Sequence, residues 1–532
     1  MKSNLTTPPK LALLELDSVR CRATWLDEPK VQFAEGRLHS DPKTGIPLYG
    51  PRSFGTARHM REVHVGFIGT CEAVQNAIQF LAKCSEGVAG DKDHAPFPGC
   101  NSEHGFRFEL RTDDSSVELI SRQEHAELLG IRNSRQRFER ILSLLEEKMC
   151  LLCQRDNPPD YIFLVLPHDL YLKCRTAEYV ERGLGRIQRN LRRSFKAMAM
   201  RFQKPTQMLR ETTTGLASTQ SVDRDHESVI AWNLFTGMYF KAGGIPWGPS
   251  DLPPASCHVG ISFFRPLGEQ NTLRTSVVQA FDENGEGLVL RGHRFDWDEN
   301  RQGRSPHLNE EMAAELIEMV LEQYRRERKQ MPQRIIIHKS SRYEPEERAG
   351  FEAALRGKVD RYDLLALNSS SDVRLVRAGK RPPLRGTTFM VGDVAYFYTT
   401  GYIPLLGRYP HGHVPSPLQV ADHVGDTPMQ QLLREIWLKA LATERPSSVA
   451  PGVDSGVAAE FALFSLKWYD QQGGVALLDC GRRNVGSATA SESSEKQCRM
   501  GDGLRRSLLL RRLRSSGTVL VESGFGAGVE VF

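Results

Sequence analysis

The segment Asp160-Tyr-Ile-Phe-Leu-Val-Leu-Pro167 constrains this chain more than any other. Its unbroken apolar run, closed by a proline, is a strand that has to be buried on both faces, as in the middle of a parallel sheet with helices on either side. The preceding stretch supplies one helix, because Phe138, Ile141, Leu142, Leu145 and Met149 recur at helical spacing within Asn133–Cys153. Upstream, Leu11–Leu16, Val63–Ile68 and Arg107–Arg111 read as strands. Thr70–Lys83 reads as a helix carrying Val74, Ile78, Leu81 and Ala82 on one side, and the Pro/Gly/Asp-rich passage Asp91–His104 reads as a loop. Open α/β sheets bind ligands beyond the carboxyl ends of their strands, which makes the residues after Leu166 the first place to look for a site.

A second α/β region follows Glu211–Glu227, a Thr-, Ser- and Asp-rich exposed connection. Strands Cys257–Phe264, Thr275–Asp282 and Leu288–His293, with a turn at Glu283–Gly287, form a meander. Helix Asn309–Lys329 then opens on Glu310 and Glu311 and closes on Arg325, Arg326, Arg328 and Lys329, as the helix dipole favours. Strand Arg334–His338 and a helix near Glu346–Leu355 complete it. Antiparallel meander, helix, parallel strand, helix is the order of a ribonuclease H-like fold. Beyond Ile436 the pattern stops. The stretch 481–515 holds nine Arg or Lys against three Asp or Glu, net 9 − 3 = +6. That composition fits disorder or a flexible extension, and a shifted reading frame is a second explanation.

Over the whole chain of 532 residues the balance is only 70 − 65 = +5, too little to mark a nucleic-acid binder. Its distribution is more telling. Tyr171–Arg210, read as a basic helical stretch, carries eleven basic residues against Glu178 and Glu181, net 11 − 2 = +9. Such density suits phosphate neutralisation, and equally a solvated basic face. The ten cysteines are dispersed, as in a reducing compartment. Only Cys150 and Cys153 form a close pair, with no second pair to complete a zinc site, so they read as half-buried thiols near a helix end. A polar N-terminus without a secretory signal, and no apolar run near the ~20 residues that span a membrane, place the expectation in the cytoplasm.

After the buried strand stand Tyr171, Lys173 and Arg175, then Pro205-Thr206-Gln207, then Tyr239-Phe240-Lys241-Ala242-Gly243-Gly244-Ile245-Pro246-Trp247. Cations, an amide and a phenol are the types that bind a terminal phosphate and stack on its base. In order, these phrases resemble the MID and PIWI domains of prokaryotic Argonautes of the short class, which lacks the N and PAZ domains. Glu28-Pro29, Phe33-Ala-Glu-Gly36, Asp41-Pro42-Lys-Thr-Gly45, Leu48-Tyr49-Gly50-Pro51, Val65-Gly66-Phe-Ile68-Gly69-Thr70 and Ala231-Trp232-Asn233 contribute to the resemblance. It continues through Val259-Gly260-Ile261, Ile337-His338-Lys339, Pro383-Leu384-Arg385-Gly386-Thr387, Thr400-Gly401-Tyr402-Ile403-Pro404 and Val414-Pro415-Ser416-Pro417-Leu418. It covers about residues 25–436 and implies an N-terminal strand segment over 1–24, a Rossmann-like MID domain over 25–226, a ribonuclease H-like PIWI domain over 227–436 and a divergent extension over 437–532.

By that resemblance Tyr171, Arg175, Gln207 and Lys241, with Lys173 as a neighbour, match the pocket for the 5′-phosphorylated end of a guide RNA, where Mg²⁺ is also allowed. The guide then pairs with single-stranded target DNA. The partner implied is an APAZ-domain protein fused to a TIR, sirtuin-like or nuclease effector, acting in defence against plasmids or phage. A cleaving PIWI domain needs carboxylates that hold two Mg²⁺ ions. Where the family carries aspartates, this sequence has Gly260-Ile261-Ser262 and Ile337-His338-Lys339-Ser340, so Ser262 and Lys339 mark degenerate positions and no slicing is expected. Asp282, Glu347, Asp363 and Asp393 read as surface carboxylates. Two alternatives stay open: an active ribonuclease H-like guide-dependent nuclease, and a nucleic-acid-binding module without a guide.

Overall fold

The computed structural model describes residues 21–92, 94–101, 103–181, 185–214, 225–264, 273–281, 287–297, 303, 306–368, 373–377, 381–403, 415–443, 519–521 and 529–531. The expected strand Leu11–Leu16 and most of the expected turn Glu283–Gly287 lie outside these residues.

The first lobe is a four-stranded parallel sheet in the spatial order Glu109–Leu119, Glu62–Gly69, Tyr161–Leu166, Thr206–Arg210. Tyr161–Leu166 is buried at every residue, as its apolar run requires. On one face Val65, Phe67, Tyr161 and Phe163 meet helices Cys71–Glu86 and Glu227–Lys241 through Phe80, Trp232, Phe235 and Tyr239. On the other, Ile162 and Leu164 meet helices Ser134–Cys153 and Leu191–Ala199 through Ile141, Leu145 and Phe195. Asn133 starts the longer helix by accepting a hydrogen bond from the Gln136 amide, and Cys150 and Cys153 lie near its end as half-buried free thiols.

The basic stretch Tyr171–Arg210 is not one helical passage. It is divided among helix His168–Cys174, a hairpin of Thr176–Glu181 with Gly185–Asn190, helix Leu191–Ala199 and strand Thr206–Arg210. The alternation of Ala177 and Tyr179 with polar neighbours in Thr176-Ala-Glu-Tyr-Val-Glu181 accounts for the hairpin.

The second lobe holds a nine-stranded sheet in the order Cys21–Trp25, Thr387–Val391, Val394–Phe397, Leu418–Gly425, Arg361–Asn368, Arg334–Lys339, Ser256–Phe264, Leu273–Phe281, Gly287–Asp296. The last three are the antiparallel meander, while Ser256–Phe264, Arg334–Lys339 and Arg361–Asn368 run parallel, which is the ribonuclease H-like arrangement. Helices Glu310–Arg328 and Pro345–Leu355 cover one face and helix Met429–Thr443 the other. That last helix runs through Ile436. Trp437 packs in the second lobe and Leu438 in the core of the first, so the helix lies between the two. Farther on, Val529–Val531 pairs with Leu375–Arg377 and with Val519–Val521.

Buried charge ties helix Met429–Thr443 to the central strands. Arg334, 1% exposed, donates to Asp363 at 3.1 Å and to both Glu435 oxygens at 2.8 and 2.9 Å. Asp363 also accepts from the Thr427 hydroxyl at 2.7 Å and stands 3.2 Å from His423. Burial by itself raises the Asp363 pKa, but hydrogen bonds from His423, Thr427 and Arg334 outweigh it and hold the carboxyl below its ordinary value. Its contribution to stability is therefore present above the unfolded-state pKa and disappears as pH falls through the lower folded value. Arg334→Met strands two buried carboxylates and is expected to cost about 3–5 kcal/mol in urea denaturation at neutral pH. Its acid unfolding is expected at higher pH than that of the wild type, and equal acid midpoints would contradict this account of Asp363.

Candidate nucleic-acid interface

Helix Glu227–Lys241 ends where the sequence phrase Lys241-Ala-Gly-Gly244 begins. Gly243 has φ +112°, a conformation that side chains disfavour, and a Cβ on Gly244 would stand 2.5 Å from the Tyr239 ring. The two glycines let the chain turn tightly against Tyr239, and the Gly244 amide donates back to the Tyr239 carbonyl at 3.0 Å. Lys241, the last residue of the helix, places its cation at the negative end of the helix dipole.

From there the Lys241 ammonium lies 3.1 Å from Gln207 Oε1, 3.4 Å from the Thr206 carbonyl and 3.4 Å from the Tyr161 hydroxyl. It also sits over the Tyr161 ring, 5.6 Å from the centroid. These three acceptors carry no net charge and orient the ammonium by hydrogen bonding. Gln207 belongs to Thr206–Arg210, the edge strand of the parallel sheet. The structure thus brings together Lys241 and Gln207, two of the residues expected from sequence.

Tyr171, Lys173 and Arg175 are placed elsewhere. They follow the carboxyl end of Tyr161–Leu166, on helix His168–Cys174 and just after it, and Tyr171 packs on the opposite face of the sheet from helix Glu227–Lys241. Tyr171 is half-buried, with the Arg210 guanidinium 5.8 Å from its ring centroid. Arg210 is three residues along the edge strand from Gln207, about 10 Å at the usual strand rise. Lys173 is exposed, its ammonium 3.5 Å from the Leu129 carbonyl, and Arg175 is exposed. Arg192, Arg193 and Arg210 are exposed on the same lobe, whereas Arg189 and Arg201 pair with Glu139 and Glu146.

Sequence reasoning passed over Lys196. It is 3% exposed, on helix Leu191–Ala199, which leads into the edge strand from the face opposite Lys241. A buried lysine beside an edge strand is unusual for its residue type. The available signal was its place directly after Phe195 on the apolar stripe Leu191, Phe195, Met198, Ala199.

In the second lobe Gly260 stands opposite His338 on neighbouring parallel strands. Two residues farther on are Ser262 and Ser340, while Lys339 belongs to the alternate set that faces the other side. Its ammonium is buried, pairs with the Glu347 carboxylate and lies over the Tyr343 ring at 4.5 Å. Burial raises the Glu347 pKa, but hydrogen bonds from His307, Lys339 and the Leu308 amide reverse this and hold it below the usual range. Glu347 and Asp363 are therefore buried ion-paired groups, correcting their reading as surface carboxylates: each is 0% exposed and faces a cation across neighbouring elements. Asp393 is exposed as expected, and Asp282 lies outside the described residues. On the face covered by helix Met429–Thr443, His258 and His338 stack with centroids 6.0 Å apart. Burial and nearby Lys439 lower both pKa values, His338 to about 3, so both rings are neutral at physiological pH.

No protein-family model matches the sequence, and no curated protein matches it. Solved structures match the fold. The Clostridium butyricum Argonaute bound to a guide DNA and a 19-mer target DNA aligns with TM-score 0.57 and 16% identity, over 86% of this chain and 54% of that one. The A. aeolicus Argonaute aligns with TM-score 0.47 and 14% identity, over 82% of this chain and 52% of that one. The Marinitoga piezophila Argonaute in complex with 5′ OH guide RNA aligns with TM-score 0.48 and 12% identity, over 80% and 55%. The chain spans about half the length of each of these structures. Its fold is Argonaute-like, of the mixed α/β kind seen in MID and PIWI domains.

Proposed function

We propose that this chain binds the 5′-phosphorylated end of a guide strand at the edge of its parallel sheet and uses the guide to recognise a complementary strand. The observation that carries the reading is the Lys241 ammonium 3.1 Å from Gln207 Oε1, at the end of a helix whose glycine turn aims it there. The Argonaute-like fold supports it, since the Clostridium butyricum protein of that fold holds guide and target DNA. A 5′-phosphate, with charge of about −1.5 to −2, would accept from Lys241 and from the Gln207 amide group, and the exposed Arg175, Arg192, Arg193 and Arg210 would line the adjoining backbone. Pairing of the guide then supplies sequence specificity while the protein holds backbone. A Mg²⁺ ion at the phosphate would take anionic oxygen ligands from the nucleic acid.

The finer reading is a guide RNA, a single-stranded DNA target and no slicing. Ser262 and Lys339 stand where, by the resemblance, cleaving members carry aspartates, and the buried carboxylates Glu347 and Asp363 are taken up in ion pairs with Lys339 and Arg334. Output would then come from an APAZ-domain partner carrying a TIR, sirtuin-like or nuclease effector, switched on by target pairing in defence against plasmids or phage. The resemblance of the sequence to the short class supports this part, and the switch requires that the target-bound and guide-only states differ in contact free energy with the partner.

In a filter-binding assay the protein should prefer a 5′-phosphorylated guide to the same strand with a 5′-hydroxyl. Lys241→Ala should weaken the phosphorylated guide by roughly 10- to 100-fold, the worth of one charge-assisted hydrogen bond, and hardly change the hydroxylated one. Equal affinity of the wild type for both ends would overturn the terminal-phosphate reading in favour of guide-independent binding. With guide, labelled target and Mg²⁺ or Mn²⁺, no cleavage product is expected; guide-dependent product would establish an active nuclease instead.

A further inference from the structure

We propose that Asp91, His94 and His226 form a binding site for one divalent transition-metal ion, of the zinc class, that clips the loop after helix Cys71–Glu86 to the start of helix Glu227–Lys241. One ligand atom from each residue lies within 4.8 Å of the others. Ligand atoms around a tetrahedral Zn²⁺, with bonds near 2.0–2.1 Å, stand roughly 3.3 Å apart, so the most widely spaced pair needs to close by at most about 1.5 Å. Two imidazoles and one carboxylate are a donor set for zinc and its neighbours rather than for Mg²⁺ or Ca²⁺, which prefer oxygen.

Two distant stretches of chain, one carrying Asp91 and His94 and the other His226, meet on prepared backbone. Val88 and Phe97 exchange hydrogen bonds of 2.9 Å, making a short hairpin-like loop. Near its tip the Asp91 carboxylate accepts from the His94 amide at 2.7 Å and lies 2.8 Å from His94 Nδ1. The loop is held against the helix by Trp232, whose indole donates to the Pro96 carbonyl at 3.0 Å, and by the Phe97 ring against Trp232 and Phe235. His226 precedes the helix, with Nε2 3.7 Å from Asp91 Oδ2 and its ring stacked on His94 at 4.7 Å.

His226 caps its helix, its Nδ1 accepting from the Ser228 amide at 3.2 Å. His226 Nδ1 is 2.8 Å from Ser228 Oγ, and Ser228 is fully buried. A metal on Nε2 leaves the ring proton on Nδ1, so uptake gives up the bond from the Ser228 amide and replaces it with one donated to Ser228 Oγ, which then orients the ligating ring. The imidazoles must also rotate out of their parallel stack so that both ring planes contain the ion. Metal uptake therefore changes the two rings, while the Trp232 and Phe97 contacts keep the loop in place.

The test uses full-length protein stripped with a chelator, dialysed, loaded with ZnCl₂ or CoCl₂, and assayed for retained metal by mass spectrometry and for Co²⁺ by its ligand-field absorption. One ion per chain and a Co²⁺ band with nitrogen ligation are expected. His94→Ala and His226→Asn, the latter keeping a side chain that caps a helix, should each abolish retention, whereas the exposed control His104→Ala should keep it. Far-UV circular dichroism identifies any variant that fails to fold, and the metal result is then read from the other. No retained ion, or retention unchanged in the folded His94→Ala or His226→Asn protein, overturns the site. Neither result bears on guide binding, which is measured separately at Lys241.

Discussion

Tyr239 fixes the last turn of helix Glu227–Lys241, and with it the direction of Lys241. Its hydroxyl is 2.7 Å from Ser53 Oγ and 2.9 Å from His59 Nδ1, and its ring packs on Phe106 and Phe108. Burial pushes the phenol up to about 12, so it remains neutral and able to donate. Since Gly244 must lie against that ring, the chain leaves the helix in one way and enters Pro246-Trp247 on the path to the second lobe. The same contacts that complete the first core thus aim a cation at the edge strand, coupling packing to the proposed chemistry.

The second lobe shows a different use of charge. Arg334, Asp363 and Glu435 form one buried network, Lys339 and Glu347 another, and each joins a central strand to a covering helix. Removing one partner from such a pair is costly because the other remains buried, so these groups hold helices in register with strands. Glu347 and Asp363, which read as surface carboxylates in the sequence, are thereby occupied in holding the fold.

Much of this was legible from residue patterns. Continuous apolarity marked Tyr161–Leu166 and helical spacing marked Ser134–Cys153, because both patterns report burial directly, while an acidic start and basic end marked Glu310–Arg328 through the helix dipole. Local pattern could not show that strand Cys21–Trp25 joins the far sheet at Thr387–Val391, since nothing nearby records a partner more than three hundred residues away. For the same reason the contact between Gln207 and Lys241 was invisible in the sequence, and so was the sheet that separates Tyr171 from Lys241. Lys196, Glu347 and Asp363 were missed or misplaced because charged residues are read as exposed unless their partners are known.

The central claim is that the guide terminus sits at the sheet edge beside Lys241 and Gln207. Photocrosslinking a 5′-phosphorylated guide whose first base is 5-iodouracil, followed by peptide mapping, tests this most directly. Adducts within residues 196–210 or 237–247 are predicted, and adducts confined to residues 168–175 would contradict the account.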